Sequence, residues 1–176
     1  MDVSFYDFSL ATAPGAVFTP RHTTERLVDA ALERLGPGRA RIADVGTGAG
    51  AVAVAIALHR PHVEVYATDS SLAAVALARE NARRHGVCDR VHVVHGDLLT
   101  GVPGPLDLVV ANLPYLPPYR AGDFPTEPVT AVVSSGDGLD HYRRLLAQAT
   151  PLLRPGAPLL VQLHGEVRDL ALRLAA

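Results

Sequence analysis

The sequence predicts an α/β protein with a Rossmann-like, doubly wound and mostly parallel sheet. Two observations carry that prediction. From Arg41 onward, short β-branched runs alternate with Ala-, Leu- and Arg-rich stretches, the order expected of strand–helix units in a parallel sheet. The glycine run Asp44–Gly50 (DVGTGAG) and the string Asn112–Tyr115 (NLPY) each directly follow an apolar run that reads as a buried strand. Both therefore fall at carboxyl ends of strands, the edge where open α/β sheets bind ligands.

Taken in order, Arg41 to Val45 reads as the first strand and Ala51 to His59 as the helix after the glycine turn, stopped at Arg60-Pro61. Val63 to Ala67 is a second strand ending in Asp69. Ser70 or Ser71 can cap the helix that runs to His85, and Gly86 terminates it. Val91 to Val94 is a third strand, closed by His95-Gly96-Asp97, and Leu106 to Ala111 a fourth, with NLPY at its tip. Leu139 to Thr150 is a helix, Pro158 to Leu163 a fifth strand and Glu166 to Leu174 a short amphipathic helix. Upstream, Leu27 to Leu35 is a helix ended by Gly36-Pro37-Gly38. Residues 1–20 read as a hairpin extension, with Phe5–Leu10 and Ala16–Phe18 flanking Ala13-Pro14-Gly15, and residues 21–176 as the main domain. The proline-rich segment 113–130 reads as a long ordered or gating loop directly after the NLPY tip, and loops of that length usually carry function or are disordered.

Length and composition narrow the class. A chain of 176 residues is one domain with a real core. All 16 basic residues are Arg and the formal net charge is −2, without the basic stripe of a strong nucleic-acid binder. Cys88 is the single cysteine, so no disulfide framework or cysteine metal site is expected. The start MDVSFYDFSL lacks a signal peptide's basic and apolar regions, and no apolar run reaches membrane-spanning length. The expectation is a cytoplasmic protein.

The chemistry lies at the strand ends. Gly46, Gly48 and Gly50 let the backbone turn tightly and approach a ligand where a Cβ would clash, with Asp44 and Thr47 in the same turn. GTGAG lacks the spacing of a dinucleotide fingerprint, and no Lys-Ser/Thr follows to make a phosphate-binding loop. Asp69, followed by Ser70, ends the second strand about twenty residues after the last glycine, where an acid can accept from both hydroxyls of a ribose. Asp97 and Leu98, after the third strand, can receive an adenine amino group. Three such ends in order point to S-adenosylmethionine (AdoMet). At the fourth, the Asn112 side-chain oxygen and the Leu113 main-chain carbonyl can each accept one N–H of a planar NH₂ group. That orients its nitrogen and stabilises the positive charge that develops on methylation. Pro114 stiffens the turn and Tyr115 can stack on the target. The histidines make no metal pattern: His92 and His95 point to opposite faces of a strand, and there is no H-x-E or C-x-x-C spacing.

These residues resemble the HemK/PrmC family of N5-glutamine methyltransferases, which modify peptide-chain release factors. Phe18–Val28 (FTPRHTTERLV) is similar to the family's I-P-R-P-E-T-E-x-L-V segment, and Glu127–Leu146 (EPVTAVVSSGDGLDHYRRLL) to its E-P-x-x-A-L-x-x-G-x-D-G-L-x-x-Y-R stretch. The resemblance runs from about Phe5 to His164. It implies an AdoMet-dependent methyltransferase fold, with Gly46, Gly48, Asp69, Asp97 and Asn112 contacting cofactor or target and a Gly-Gly-Gln loop as substrate. The family tip is usually N-P-P-Y; here Leu113 replaces the first Pro, while His22, Thr23 and Gln162 stand where Pro, Glu and Glu are common. Such a sheet normally adds two further strands as an antiparallel hairpin, and bacterial members carry an amino-terminal helical domain. Neither is visible here, so the expectation is either a minimal or truncated version of the fold or a small activator protein or homodimer that covers the exposed sheet edge. A small-molecule methyltransferase, an adenine-N6 nucleic-acid methyltransferase and an inactive AdoMet-binding remnant are the competing readings. The Glu-Pro and Gly-Asp-Gly-Leu segments and the weak basicity favour the protein substrate over nucleic acid, and Asp69 with Asn112 argues against a remnant.

Overall fold

The structure, a computed structural model, describes residues 1–163. A two-stranded antiparallel ribbon, β1 (Asp2–Phe5) and β2 (Phe8–Ala11), precedes α1 (His22–Arg34). Strand–helix units follow: β3 (Ala40–Val45), α2 (Ala51–His59), β4 (Val63–Asp69), α3 (Leu72–Arg84), β5 (Val91–His95) and β6 (Leu108–Ala111). After β6 come a 3₁₀ turn (Pro118–Asp123), a single helical turn α4 (Val129–Val132), α5 (Asp140–Ala149) and β7 (Leu159–Val161). The main sheet is wholly parallel in the order β5-β4-β3-β6-β7. The chain thus winds outward from β3 in one direction and resumes on its other side at β6. That reversal opens a crevice at the carboxyl ends of β3 and β6.

Alternation along the strands divides the core. Ile42, Leu108 and Val110 join α1, α2 and α3 in one buried cluster, while Ala43, Val45, Val109 and Ala111 join α5 in the other. Helix α2 is buried at every position from Ala51 to Ala57, as expected of a helix apolar all round. The expected helix at Glu166–Leu174 lies outside the described residues. The remaining elements fall close to their expected positions. Helix α1 is one exception, since it starts at His22, a turn and a half before the apolar periodicity begins, and the amino-terminal hairpin is another.

The hairpin differs from expectation. Its turn is Tyr6-Asp7, with Phe5 opposite Phe8, not Ala13-Pro14-Gly15. Tyr6 takes a left-handed φ of 55°, held there by its N–H donating to Glu25 Oε1 at 2.9 Å and its hydroxyl to Asp29 Oδ1 at 2.7 Å. Tertiary anchors therefore stabilise a turn that the local sequence does not announce. Ala13-Pro14-Gly15 is also a turn, but it directs the chain from β2 toward α1.

Asn81 anchors this ribbon. Fully buried on α3, it accepts from Ala11 N at 2.9 Å and donates to Ala11 O at 3.0 Å and Ala49 O at 2.8 Å. One amide thus joins the hairpin to the glycine turn. Asn81→Ala is expected to cost about 2–4 kcal/mol, because it strands buried backbone groups. Urea unfolding measures this, and a loss under about 1 kcal/mol would show the anchor to be redundant.

Candidate active site

The glycine turn is built on a buried carboxylate. Asp44 Oδ2 accepts from Thr47 Oγ1 at 2.6 Å and from Ala53 N at 3.1 Å, tying β3 to the first turn of α2. Gly46 and Thr47 both donate their N–H to Thr68 O at 2.9 Å, which laces the turn to β4. Burial, ahead of any neighbouring charge, pushes the Asp44 carboxyl up to about 6. Gly46 has a φ of 70°, and a Cβ there would lie 2.6 Å from Leu113 Cδ2. Gly50 has a different role from the one expected. It does not line the cavity; its φ is 82°, and a Cβ would press on Ala78 of α3 at 3.1 Å. The third glycine serves helix packing.

Asp69 closes β4 with both oxygens engaged by backbone: Oδ2 accepts from Gly48 N and Oδ1 from Ser71 N, each at 2.9 Å. The two bonds fix the carboxylate and leave each oxygen a further lone pair. Ser71, not Ser70, caps α3, its Oγ accepting from Ala74 N. Ser70 is exposed on the cavity rim. Asp97 is also at the rim, ion-paired with Arg144, and Leu98 beside it has a left-handed φ of 52°.

At the β6 tip, Asn112 is half-buried, faces the cavity and, among the described residues, has no hydrogen-bond partner for its side-chain amide. Leu113 packs its side chain on Gly46. The tip continues by pairing Leu116 with Val133, so the proline-rich segment is an ordered flap returning on itself. Gly138, with a φ of 93°, lies so close to the Tyr115 carbonyl that a Cβ would be 2.2 Å from it. The Gly-Asp-Gly-Leu segment is thus the support of the tip.

The flap is latched to the segment before α1 through Glu127, whose side chain is only 4% exposed. It accepts from Thr19 N at 3.1 Å and pairs with Arg21 at 3.4 Å, while the Arg21 guanidinium lies 4.7 Å from the Phe124 ring centre. His141, bonded to Ser134 Oγ at 2.8 Å, has its basicity lowered first by burial and then by Arg144. Burial also raises the Tyr115 phenol. Both rings therefore face the cavity uncharged at neutral pH.

These groups surround one cavity of about 420 Å³, in the range of small-molecule sites. The structure brings together Asp44, Gly46, Thr47, Gly48, Asp69, Ser70, Asp97, Leu98, Asn112, Leu113, Pro114 and Tyr115 in its wall. Thr24 and Thr68 also contribute, and each has a buried hydroxyl without a partner among the described residues. Carboxylates, unsatisfied hydroxyls and a bare glycine turn suit a cationic, ribose-bearing ligand. Among the described residues no cluster of His, Cys, Asp or Glu is placed to hold a metal, and no helix is long and apolar enough to cross a membrane.

The model of the methyltransferase small domain matches residues 22–164. The chain belongs to this family. It is 45% identical over 171 residues to the release factor glutamine methyltransferase of Moorella thermoacetica, covering 92% of this chain and 60% of that one. Its identity to the protein of the same name from Xylella fastidiosa is also 45%, over 90% of this chain and 59% of that one. The chain thus spans about three-fifths of the length of these curated relatives. Solved structures with the same fold include a ribosomal protein L11 methylase from Lactobacillus delbrueckii subsp. bulgaricus, with a TM-score of 0.64 and 24% identity over 89% of this chain and 68% of that one. The Thermus thermophilus 16S rRNA N2 G1207 methyltransferase, solved with AdoMet and guanosine, has a TM-score of 0.65 and 20% identity over 92% of this chain and 40% of that one.

The buried acid of the glycine turn gives a signed pH test. Its folded pKa lies above the ordinary carboxylate value, so its contribution to stability is complete below about pH 4 and is lost as pH rises through about 6. Asp44→Asn removes that dependence. Between pH 4 and pH 7 the stability difference should shift in the variant's favour by on the order of 3 kcal/mol. Urea titrations at a series of pH values measure it, and a difference constant with pH would show that Asp44 does not titrate in this range.

Proposed function

We propose that this chain is an AdoMet-dependent N-methyltransferase of the cytoplasm that acts on a glutamine side-chain amide in a protein, the Gly-Gly-Gln loop of a release factor being the substrate of choice. Residues 21–176 form the catalytic domain in this reading, and residues 1–20 are its extension. The observation that carries it is the β6 tip: an Asn112 amide without a partner among the described residues, beside the Leu113 carbonyl, in the same cavity as the glycine turn and Asp69. The names of the curated relatives support the choice of substrate.

AdoMet, when bound, supplies an electrophilic methyl group carried on a sulfonium. Gly48 would leave room for it, Asp69 would accept from the ribose hydroxyls, and the Asp97–Leu98 turn would border the adenine. Asn112 Oδ1 and Leu113 O each accept one N–H of the target amide, holding its nitrogen toward the donor and stabilising the charge that forms on it. Transfer would break the S–CH₃ bond and leave the neutral thioether S-adenosylhomocysteine. The surplus N–H proton, acidic once the nitrogen is methylated, would pass to solvent, so no strong base is needed. Tyr115 walls the planar target and the latched flap limits access of water.

The proposal includes a small activator or a second copy along the outer side of β7, which has a strand neighbour on one side only among the described residues. A monomeric mass in sedimentation together with full activity of the isolated chain would remove that part.

The primary test is transfer of labelled methyl from AdoMet to recombinant release factor, with a Gln→Ala change in its Gly-Gly-Gln loop as control. Asn112→Ala should lower turnover by about two orders of magnitude or more while AdoMet affinity stays nearly intact. Asp69→Ala should weaken AdoMet binding first. Affinity lost and turnover kept in Asn112→Ala would make Asn112 structural, and label appearing in RNA or small molecules would move the substrate elsewhere.

A further inference from the structure

Tyr142 lies on α5 outside the cavity wall, yet its hydroxyl reaches the proposed catalytic tip. The residue is buried, and its oxygen lies 3.1 Å from each of three main-chain atoms: Leu113 N, Leu113 O and Gln162 O. Leu113 N–H donates to the phenol oxygen, and the single phenol proton has two carbonyls to choose between.

Those contacts bear on both groups proposed to hold the acceptor. Leu113 N belongs to the peptide that follows Asn112, so fixing it fixes the backbone from which the Asn112 side chain extends. Leu113 O belongs to the next peptide, whose nitrogen is Pro114 and has no N–H with which to anchor itself. Among the described residues the phenol is the one hydrogen-bond donor to that carbonyl. Two consecutive peptide planes thus hang on one oxygen. Gln162 N donates to Ala111 O, so the third contact adds the register of β7 against β6. The Leu113 carbonyl has two lone pairs, so it can accept from the phenol and still offer one to a target N–H. Burial raises the phenol pKa above its ordinary value, so the group remains a neutral donor.

We propose that Tyr142 is a positioning residue for the methyl acceptor, its hydroxyl setting the directions of the Asn112 side chain and the Leu113 carbonyl. This rests on the N-methyltransferase reading of the site.

Tyr142→Phe keeps the buried ring and deletes only the hydroxyl. At saturating substrates and well below the unfolding temperature, kcat should fall about ten- to a hundredfold, the scale of a small misplacement of reacting groups. The AdoMet Kd, by calorimetry, should stay within about twofold of wild type. Amide hydrogen exchange of the peptide covering 111–116 should rise while that of β3 and α2 is unchanged. In an Asn112→Ala background the hydroxyl's removal should cost much less than it does alone, because both changes undo one arrangement. Replacing Tyr142 by 4-aminophenylalanine, which retains a polar donor and acceptor, should restore most of kcat; it also serves if Tyr142→Phe folds poorly.

An unchanged kcat in Tyr142→Phe overturns the inference. So does a fall in kcat matched by a loss of AdoMet affinity, or by raised exchange across the sheet, since either marks a merely structural tyrosine. A wild-type chain that binds AdoMet but methylates no glutamine acceptor overturns the reading of the site and this inference with it. A wild-type chain that methylates, matched by Tyr142→Phe, overturns this inference alone.

Discussion

The Asp44 carboxylate is the constraint on which the cavity depends. An ionised group taken out of water is costly, and here the cost is offset by bonds from the Thr47 hydroxyl and the first turn of α2. Those bonds require the chain to reverse within the few residues between β3 and α2. The reversal needs left-handed backbone at Gly46, Gly48 and Gly50. Once the turn is set, Gly48 N is presented to Asp69 and the Thr68 carbonyl receives two N–H groups. The end of β4 is thereby shaped by a residue of β3, and the polar rim is a consequence of one buried acid.

Parallel pairing does the rest of the assembly. Val45 stands beside Thr68 on one side and Ala111 on the other, so the residues that follow each strand emerge side by side. This part was legible in the sequence, because a buried parallel strand announces itself as an apolar run and its functional residues come next. Hence Gly46, Asp69, Asp97 and Asn112 could be assigned to one edge without knowledge of the fold. The roles of Gly50 and Glu127 could not. A glycine that packs against Ala78 and one that faces a ligand have the same local sequence, and only the position of α3 separates them. Glu127 opens a segment that the sequence shows only as a motif, and its place as a latch depends on Thr19 and Arg21, more than a hundred residues away in the chain. The hairpin failed for a related reason. Pro14-Gly15 is the stronger local signal, whereas Tyr6 adopts its left-handed turn through Glu25 and Asp29.

The two halves of the cavity are mechanically joined. Leu113 presses its side chain on Gly46, its main chain hangs on Tyr142, and Tyr115 behind it rests on Gly138. A displacement of the glycine turn must therefore be felt at the acceptor tip, since packed side chains transmit strain rather than absorb it. The Gly-Asp-Gly-Leu segment, which carries no group with obvious chemistry, acquires its reason here. A side chain at 138 would occupy the space of the Tyr115 carbonyl.

Leu113 itself is the residue by which this tip departs from the N-P-P-Y form it resembles, and the structure gives that departure a physical meaning. A proline at 113 would have no N–H, and the phenol of Tyr142 would then serve carbonyls alone. Leucine adds a donor at a buried position, where an unpaired N–H is costly, and Tyr142 accepts from it. The leucine also carries a branched side chain that fills the space above Gly46, which a proline ring would fill differently. The substitution is thus supported on both sides: by a hydroxyl that satisfies the new donor and by a glycine that admits the new side chain. Neither Gly46 nor Tyr142 can be changed without exposing what the leucine at 113 requires, and that mutual dependence makes the tip rigid.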